Sequence, residues 1–267
     1  MKGVIHAASL YNRRTSMRTK GETRPTRSVF CKGCLQQLHL PIPIHGPLSV
    51  PFRIFGLRPS RMNPNLCNLC ETMFKRIKKS SQIHVPLTIL FADVRGYTSV
   101  SELLDTPEII RLLAHFYEQC GEAIWEGDGI VNKLIGDAVL AIFNFPIERD
   151  RHVENAVISA ITLQERWSSR RSTVESVSEM PIGVGVGIHT GTVAVGEVGE
   201  ACRDFTAVGS VVNLASRLQG AASPGEVLVT EPVYKRVAEQ FPNARMRVCH
   251  LKGLEQPVNA WVLKSGV

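Results

Sequence analysis

Between Ile130 and Phe143 the chain reads IVNKLIGDAVLAIF, two short β-branched and aliphatic runs hinged at Gly136-Asp137. Such runs flanking two turn residues predict a β-hairpin, with Gly136 supplying the positive φ that a tight primed turn needs. Two charges, Lys133 and Asp137, interrupt the apolar pattern. A charge inside a core-forming hairpin is costly unless something pairs with it. Asp137 at a rigid turn can hold a metal, and Lys133 can hold a polar ligand; a surface pair between the two is the alternative.

The pattern around the hairpin predicts its neighbours. Leu87–Val94 (LTILFADV) is a buried strand that carries Asp93 near its end. Thr106-Pro107-Glu108 reads as an N-cap with Pro at the first helical position. Ile109, Leu112, Leu113, Phe116, Tyr117 and Ile124 follow at helical spacing to Trp125, and Gly127-Asp128-Gly129 ends that helix. His152–Trp167 is helical again, and Arg166–Met180 is a polar loop. Strands are expected at Ile182–His189 and Val193–Val198, hinged at Thr190-Gly191-Thr192, and at Phe205–Val208. Val211–Leu218 is a helix stopped by Gly220–Gly225, and Val233–Gln240 is another. Strands at Glu226–Val229, Arg245–Leu251 and Val258–Leu263 complete the chain. The order is β-α-β-β-α-β plus an extension: an α+β fold with a ferredoxin-like core, antiparallel-rich, with helices on one face. Gly183, Gly185, Gly187, Gly191 and Gly196 read as strand-packing and turn glycines, not a phosphate loop. His189 reads as a packed strand residue and His152 as a residue near a helix start.

A chain of 267 residues suits one good-sized domain, here residues 83–264, plus a smaller module. No run approaches the roughly 18 apolar residues of a membrane span. Residues 1–80 carry 15 of the 31 Lys and Arg but only Glu22 and Glu71, so the excess positive charge sits there and the remainder is acidic. A basic arm can bind nucleic acid or an anionic surface. The favoured reading of residues 1–28 is a solvated, disordered tail, and nucleic acid is not the expected partner. That tail lacks the apolar core of a secretory signal, and a transit peptide stays open.

Cys31-Lys-Gly-Cys34 and Cys67-Asn-Leu-Cys70 make two CxxC pairs, which suggests metal binding in a reducing, cytoplasmic compartment. Structural Zn²⁺ is the first reading, an iron–sulfur cluster the second, and redox or unligated thiols the third. His39 and His45 are possible substitute ligands. Cys120, Cys202 and Cys249 read as ordinary thiols. The intervening prolines forbid a long helix. A segment with so little core needs a staple to fold. Residues 29–80 are therefore expected to be a Cys-rich regulatory module, coupled to the larger domain through a helical connector at Glu71–Lys79.

Asp93 and Asp137 both terminate apolar strands. If the first strand lies beside the hairpin, their carboxylates converge on a site suited to Mg²⁺ or Mn²⁺. Phe91-Ala-Asp-Val-Arg-Gly-Tyr-Thr98, Lys133-Leu-Ile-Gly-Asp137 and Phe205-Thr-Ala-Val-Gly-Ser-Val-Val-Asn-Leu-Ala-Ser-Arg217 together resemble the catalytic domain of class III nucleotidyl cyclases. Three ordered motifs with fixed internal spacing make that resemblance specific.

The resemblance implies roles. Asp93 and Asp137, with the Val94 backbone, match the residues that bind two divalent metals. Lys133 and Thr206 match the purine-reading pair, Asn213 the ribose-orienting residue and Arg217 the transition-state residue. Lys252 matches the lysine that contacts the terminal phosphates. Phe91, Ala92, Val94, Arg95 and Gly96 are expected to offer backbone N–H groups to the triphosphate. Thr206 stands where many members carry Asp, which is similar to the bacterial and soluble branch. The implied activity is ATP to cyclic AMP by a homodimer whose sites lie at the interface. The alternatives are a nucleotide-sensing pseudo-cyclase, a basic zinc module that docks nucleic acid, and, less favoured, a guanylate cyclase.

Overall fold

The computed structural model describes residues 27–76, 83–170, 182–198 and 204–264. Most of the expected tail, the end of the connector, most of the 166–180 loop and Cys202 lie outside them. The prolines between the two CxxC pairs leave only short helical pieces. Helix α1 (Lys32–Leu38) opens on Cys31, and a 3-10 turn at Pro47–Ser49 leads into α2 (Val50–Ile54). Helix α3 (Asn68–Arg76) carries the second pair into the first part of the connector.

Strand β1 (Ile83–Arg95) runs straight through Pro86, longer at both ends than the apolar run that marks its core. A short helix α4 (Tyr97–Ser101) precedes α5 (Thr106–Glu126). The N-cap of α5 is Asp105, one residue before the expected Thr106. Its carboxylate accepts from Glu108 N–H at 2.8 Å while the Glu108 side chain accepts from Asp105 N–H at 3.1 Å. This reciprocal capping box satisfies two donors that a threonine cap at 106 would leave open. β2 (Ile130–Ile135) and β3 (Ala138–Phe143) form the hairpin, with Gly136 at φ +60° as the first turn residue. Helix α6 (His152–Arg170) runs beyond the expected Trp167.

The two strands expected after residue 182 are one, β4 (Gly183–Val198). Thr190-Gly191-Thr192 is no hinge: those residues pair with Thr88, Leu87 and Pro86 of β1. Gly191 answers a packing demand, since a Cβ there would sit 2.9 Å from Val211 Cγ2. β5 (Asp204–Val208) folds back on β4, and α7 (Ser210–Ala221) ends within the Gly220–Gly225 segment, one residue past Gly220. β6 (Val227–Thr230), α8 (Glu231–Val237), β7 (Arg245–Cys249) and β8 (Val258–Leu263) follow.

The sheet order is β2-β3-β1-β4-β6-β8-β7, with β5 beside β4. Its first four strands are antiparallel in the ferredoxin-like arrangement; β4–β6 is the parallel pair that joins the extension. Alternation along β1 decides both faces. Leu90, Ala92 and Val94 pack on Leu112, Phe116 and Ile124 of α5 and Val153, Val157 and Leu163 of α6. Leu87, Ile89 and Phe91 point the other way, onto Ile130, Leu140, Ile142 and Val211 and Ala215 of α7. Helices thus cover both faces, a correction to the one-face expectation. The glycines of β4 give the reason. A Cβ on Gly187 would lie 2.2 Å from Gln219 N and 2.5 Å from Ala215 O, so α7 rests directly on the strand. Each fully buried Leu, Ile or Phe contributes about 1.5–3 kcal/mol to this two-sided core.

The cysteine module shares the second core layer through Ile44, Leu66 and its four thiols. It is docked by direct contacts. Val131 N–H donates to Met62 O at 3.0 Å, Trp125 Nε1 donates to the same oxygen at 2.8 Å, and Asn63 Nδ2 donates to Gly129 O at 2.8 Å. Lys32 of the module and Arg149 both grip the Asp128 carboxylate. Among the described residues no helix is long and apolar enough to cross a membrane.

Candidate active site

The β1–β3 register sets Asp93 opposite Ala138, the residue after Asp137. The turn carrying Asp137 is pinned at both carbonyls. Val94 N–H donates to Asp137 O at 3.2 Å, and the Tyr117 hydroxyl of α5 donates to Gly136 O. This brings the Asp137 carboxyl close enough to act on that of Asp93. Burial first, and then the neighbouring Asp137, push the Asp93 carboxyl up to about 6. Two groups work against that rise. Gln219 Nε2 donates to Asp93 Oδ2 at 2.8 Å, and Arg95 Nη1 lies 3.6 Å from the same oxygen. Arg95 in turn donates to the Gln219 carbonyl. Asp93 Oδ1 is buried with no protein partner. One arginine against two carboxylates and an orphaned buried oxygen leaves the site short of positive charge, and two hard oxygen donors at a fixed turn suit Mg²⁺ or Mn²⁺.

The sequence marks Tyr117 only as a position in the apolar pattern of its helix and gives no sign of Gln219. Both act across elements distant in the chain, and no local motif signals such a contact. Gln219 lies just beyond the Phe205–Arg217 motif.

The remaining expected residues fall into two groups. Lys133 sits on β2 opposite Leu140, just past an irregularity between Val131 and Lys133, and is half-exposed. Asn213 and Arg217 share the outer face of α7, opposite the buried Val211, Ala215 and Leu218. At about 100° per residue, Arg217 points roughly 200° away from Gln219, the helix residue that touches Asp93. Arg217 Nη1 donates to Gly253 O at 3.3 Å, which puts it beside the exposed Lys252. Thr206 lies on β5 opposite Gly196, whereas Asp93 lies opposite Gly185. From Gly185 to Gly196 runs roughly 35 Å of strand. One chain therefore does not gather all these residues at one point.

The backbone expectation needs correction. Phe91 and Ala92 are paired on both sides, with Leu140 and Val139 of β3 and with Gly187 and Val186 of β4. Their N–H groups belong to the sheet, and that of Val94 is taken by Asp137. The chain leaves the sheet at Gly96, φ +81°, and the first N–H groups of α4 beyond it have no intrahelical partner by construction.

A second cluster lies in the module. Cys31, Cys34, Cys67 and Cys70 are buried, with all four sulfurs within 4.8 Å of one another. The nearest approaches are 3.3 Å (Cys34–Cys70) and 3.6 Å (Cys31–Cys70 and Cys34–Cys67). A tetrahedral ion with metal–sulfur bonds of about 2.3 Å has sulfur–sulfur edges of about 3.8 Å. Backbone N–H groups aim at two of the sulfurs: Cys34 N and Cys67 N at Cys31 Sγ, 3.4 and 3.2 Å, and Cys70 N at Cys67 Sγ, 3.4 Å. That pattern stabilises thiolates. So tight a set suits one ion better than a cluster whose several irons hold their cysteines further apart. His39 is exposed, and His45 Nε2 meets Pro64 O at 2.9 Å, so neither is among the clustered ligands. Cys120 and Cys249 are buried apart from the cluster.

Comparison with known proteins gives the lineage. The family model for the adenylate and guanylate cyclase catalytic domain matches residues 79–265. An adenylate cyclase of Anabaena cylindrica is 35% identical over 189 residues, 67% of this chain and 37% of that protein. Adenylate cyclase 1 of Rhizobium meliloti is 34% identical over 135 residues, 50% of this chain and 20% of that protein. The chain thus spans well under half the length of these curated relatives. Among solved structures, the adenylyl cyclase CyaB from P. aeruginosa matches with a TM-score of 0.63 and 27% identity, over 70% of this chain and 97% of that one. The guanylyl cyclase Cya2 matches with a TM-score of 0.64 and 27% identity, over 69% of this chain and 95% of that one.

Proposed function

The chain belongs to the family of adenylate and guanylate cyclase catalytic domains, and from that premise we propose that it converts ATP into 3′,5′-cyclic AMP and pyrophosphate. The observation that carries the reading is the convergence of Asp93 and Asp137 with a buried, unpartnered Asp93 oxygen. These carboxylates, with the Val94 backbone beside them, would hold two Mg²⁺ or Mn²⁺ ions. When bound, such ions supply the Lewis acidity that activates the ribose hydroxyl and offsets phosphate charge.

The reaction is internal. The ribose 3′-oxygen bonds to the α-phosphorus, the bond from that phosphorus to the β-phosphate oxygen breaks, and the hydroxyl proton passes to solvent. No protein nucleophile is needed, only positioning and electrostatic stabilisation. Asn213 orients the ribose. Arg217 sets a fork of permanent positive charge against the α-phosphoryl oxygens, and Lys252 beside it meets the terminal phosphates. The free N–H groups at the start of α4 add donors for the same oxygens.

Because Asn213 and Arg217 face away from Asp93 across α7, the working site is shared. One copy of the chain supplies the carboxylate pair and a second supplies the purine, ribose and transition-state residues. A symmetric homodimer then has two equivalent sites.

Purine choice rests on Lys133 and Thr206. Lys133 donates to adenine N1, and the Thr206 hydroxyl accepts from N6. Guanine carries a proton at N1, which opposes a lysine ammonium, so ATP is preferred over GTP. In the module, the four cysteines hold one structural Zn²⁺, which staples a segment with little core of its own.

The test is purified protein with ATP or GTP and Mn²⁺ or Mg²⁺, with cyclic products resolved. Cyclic AMP is expected to exceed cyclic GTP-derived product at equal nucleotide, and Asp93→Asn is expected to abolish both. Undiminished product from Asp93→Asn would overturn the reading.

A further inference from the structure

Between the two CxxC pairs the chain projects an apolar tip. Leu48 is 62% exposed, Val50 55%, Ile54 80% and Phe55 89%. Phe52 between them is less exposed, at 38%, so the tip presents Val50, Ile54 and Phe55 outward while Phe52 leans on its base. Scattered exposed apolar residues are ordinary, but a contiguous aliphatic and aromatic projection marks an interaction surface.

The tip is held, not loose. Asn68, inside the second CxxC pair, clamps its base with three hydrogen bonds. Its Nδ2 donates to Gly56 O at 3.1 Å, its Oδ1 accepts from Arg58 N–H at 3.0 Å, and its own N–H donates to Arg58 O at 2.8 Å. Leu57 N–H closes the loop onto Phe52 O at 3.0 Å, and Gly56 turns the chain at φ +81°. Leu57 and Met62 pack back into the core. The cysteine cluster that steadies α3 therefore also fixes the direction of the tip.

Basic residues lie within the tip and just after it in the chain. Arg53, Arg58 and Arg61 are exposed, and no acidic residue occurs between Glu22 and Glu71. We propose that this tip is a peripheral membrane anchor: Ile54 and Phe55 enter the boundary between headgroups and acyl chains of an anionic bilayer, and the three arginines meet its phosphates. Apolar insertion combined with basic attraction is the chemistry of an interfacial anchor, and it differs from a span. A duplex nucleic acid would match the arginines but leave Ile54 and Phe55 without a use. The inference is independent of which nucleotide the catalytic domain takes.

The test uses the full chain and sedimentation with vesicles of phosphatidylcholine, with and without roughly a quarter phosphatidylserine. Binding is expected for the anionic vesicles and not the neutral ones. Ile54→Asp/Phe55→Asp should weaken it at least tenfold, and each of Arg53→Gln, Arg58→Gln and Arg61→Gln should weaken it roughly fivefold at low salt. Circular dichroism of the double variant should match the unsubstituted chain, because the Ile54 and Phe55 side chains are 80% and 89% exposed. Equal vesicle binding by Ile54→Asp/Phe55→Asp would overturn the anchor, as it would assign the attraction to other basic residues. Absence of vesicle binding, together with self-association that the same substitutions abolish, would also overturn it and assign the tip to contact between copies.

Discussion

The side-chain amide of Gln219, on α7, donates to Asp93 Oδ2 at 2.8 Å, while the other oxygen of Asp93 is buried without a partner. One helix residue thus orients a strand carboxylate and leaves its second oxygen for a ligand. Partners of this kind set both the direction and the basicity of a metal ligand. Gln219→Ala should raise the Mn²⁺ concentration for half-maximal product formation by roughly 10–100-fold. Metal titration of the rate checks this, and an unchanged half-saturation point would remove Gln219 from the site.

Gly187 is the backbone condition for that contact. A methyl group there would meet Gln219 N at 2.2 Å and Ala215 O at 2.5 Å, and neither backbone atom can swing aside. Gly187→Ala should push α7 off β4, destabilise the fold by about 1–3 kcal/mol, and weaken metal dependence along with Gln219. Urea unfolding measures the first and metal titration the second. Gly136→Ala probes a different cost, strain at φ +60° in a place with open space around it.

The cysteine cluster yields its own expectation. The purified chain should hold about one zinc ion, as befits four thiolates around a single tetrahedral centre. Cys67→Ser should lose it and unfold at lower temperature, since metal binding and folding of so small a segment are one process. The module also holds Val131 N–H through Met62 O, close to Lys133, so the cyclase rate should fall with metal content. Metal analysis and rate measured on the same preparation test this; full metal content and rate in Cys67→Ser would contradict it.

His189 gives one pH dependence, opposite in sign to that of the raised Asp93 carboxyl. Burial against β6, with Nδ1 2.7 Å from Thr230 Oγ1, lowers its pKa from 6.5 to about 4. The fold therefore keeps the neutral ring. Its contribution is whole above about pH 6.5 and is lost as the pH falls toward 4, where the unfolded chain binds the proton and the folded chain resists it. His189→Gln should flatten the stability profile in that window. Denaturant unfolding at pH 7 and pH 4.5 tests it, and an unchanged difference between the two pH values would assign the slope to other groups.

The hairpin, the β-α-β-β-α-β order and the four cysteines were legible because each rests on local pattern: alternation, turn chemistry and short spacing. Asp93 and Asp137 could be brought together from that order alone, since strand neighbours follow from it. What sequence left hidden is tertiary. Thr190-Gly191-Thr192 has the composition of a hinge, yet it lies in a strand because Gly191 must pass under Val211. Thr106 looks like a cap, yet Asp105 completes the box with Glu108. Gln219 and Tyr117 show no motif, because their partners Asp93 and Gly136 are set by packing across the fold. Phe91 and Ala92 sit beside the acidic residue, yet two ladders take up their backbone.

The most direct measurement is a mixing experiment on the shared site. Asp93→Ala and Arg217→Ala proteins are assayed for cyclic AMP separately and after subunit exchange at equal amounts. Each alone should be inactive, and the mixture should recover about a quarter of the unsubstituted rate, because about half of randomly paired dimers are mixed and each mixed dimer has one whole site of two. No recovery in a mixture shown to exchange subunits would contradict the placement of the acidic pair and of Arg217 on opposite copies.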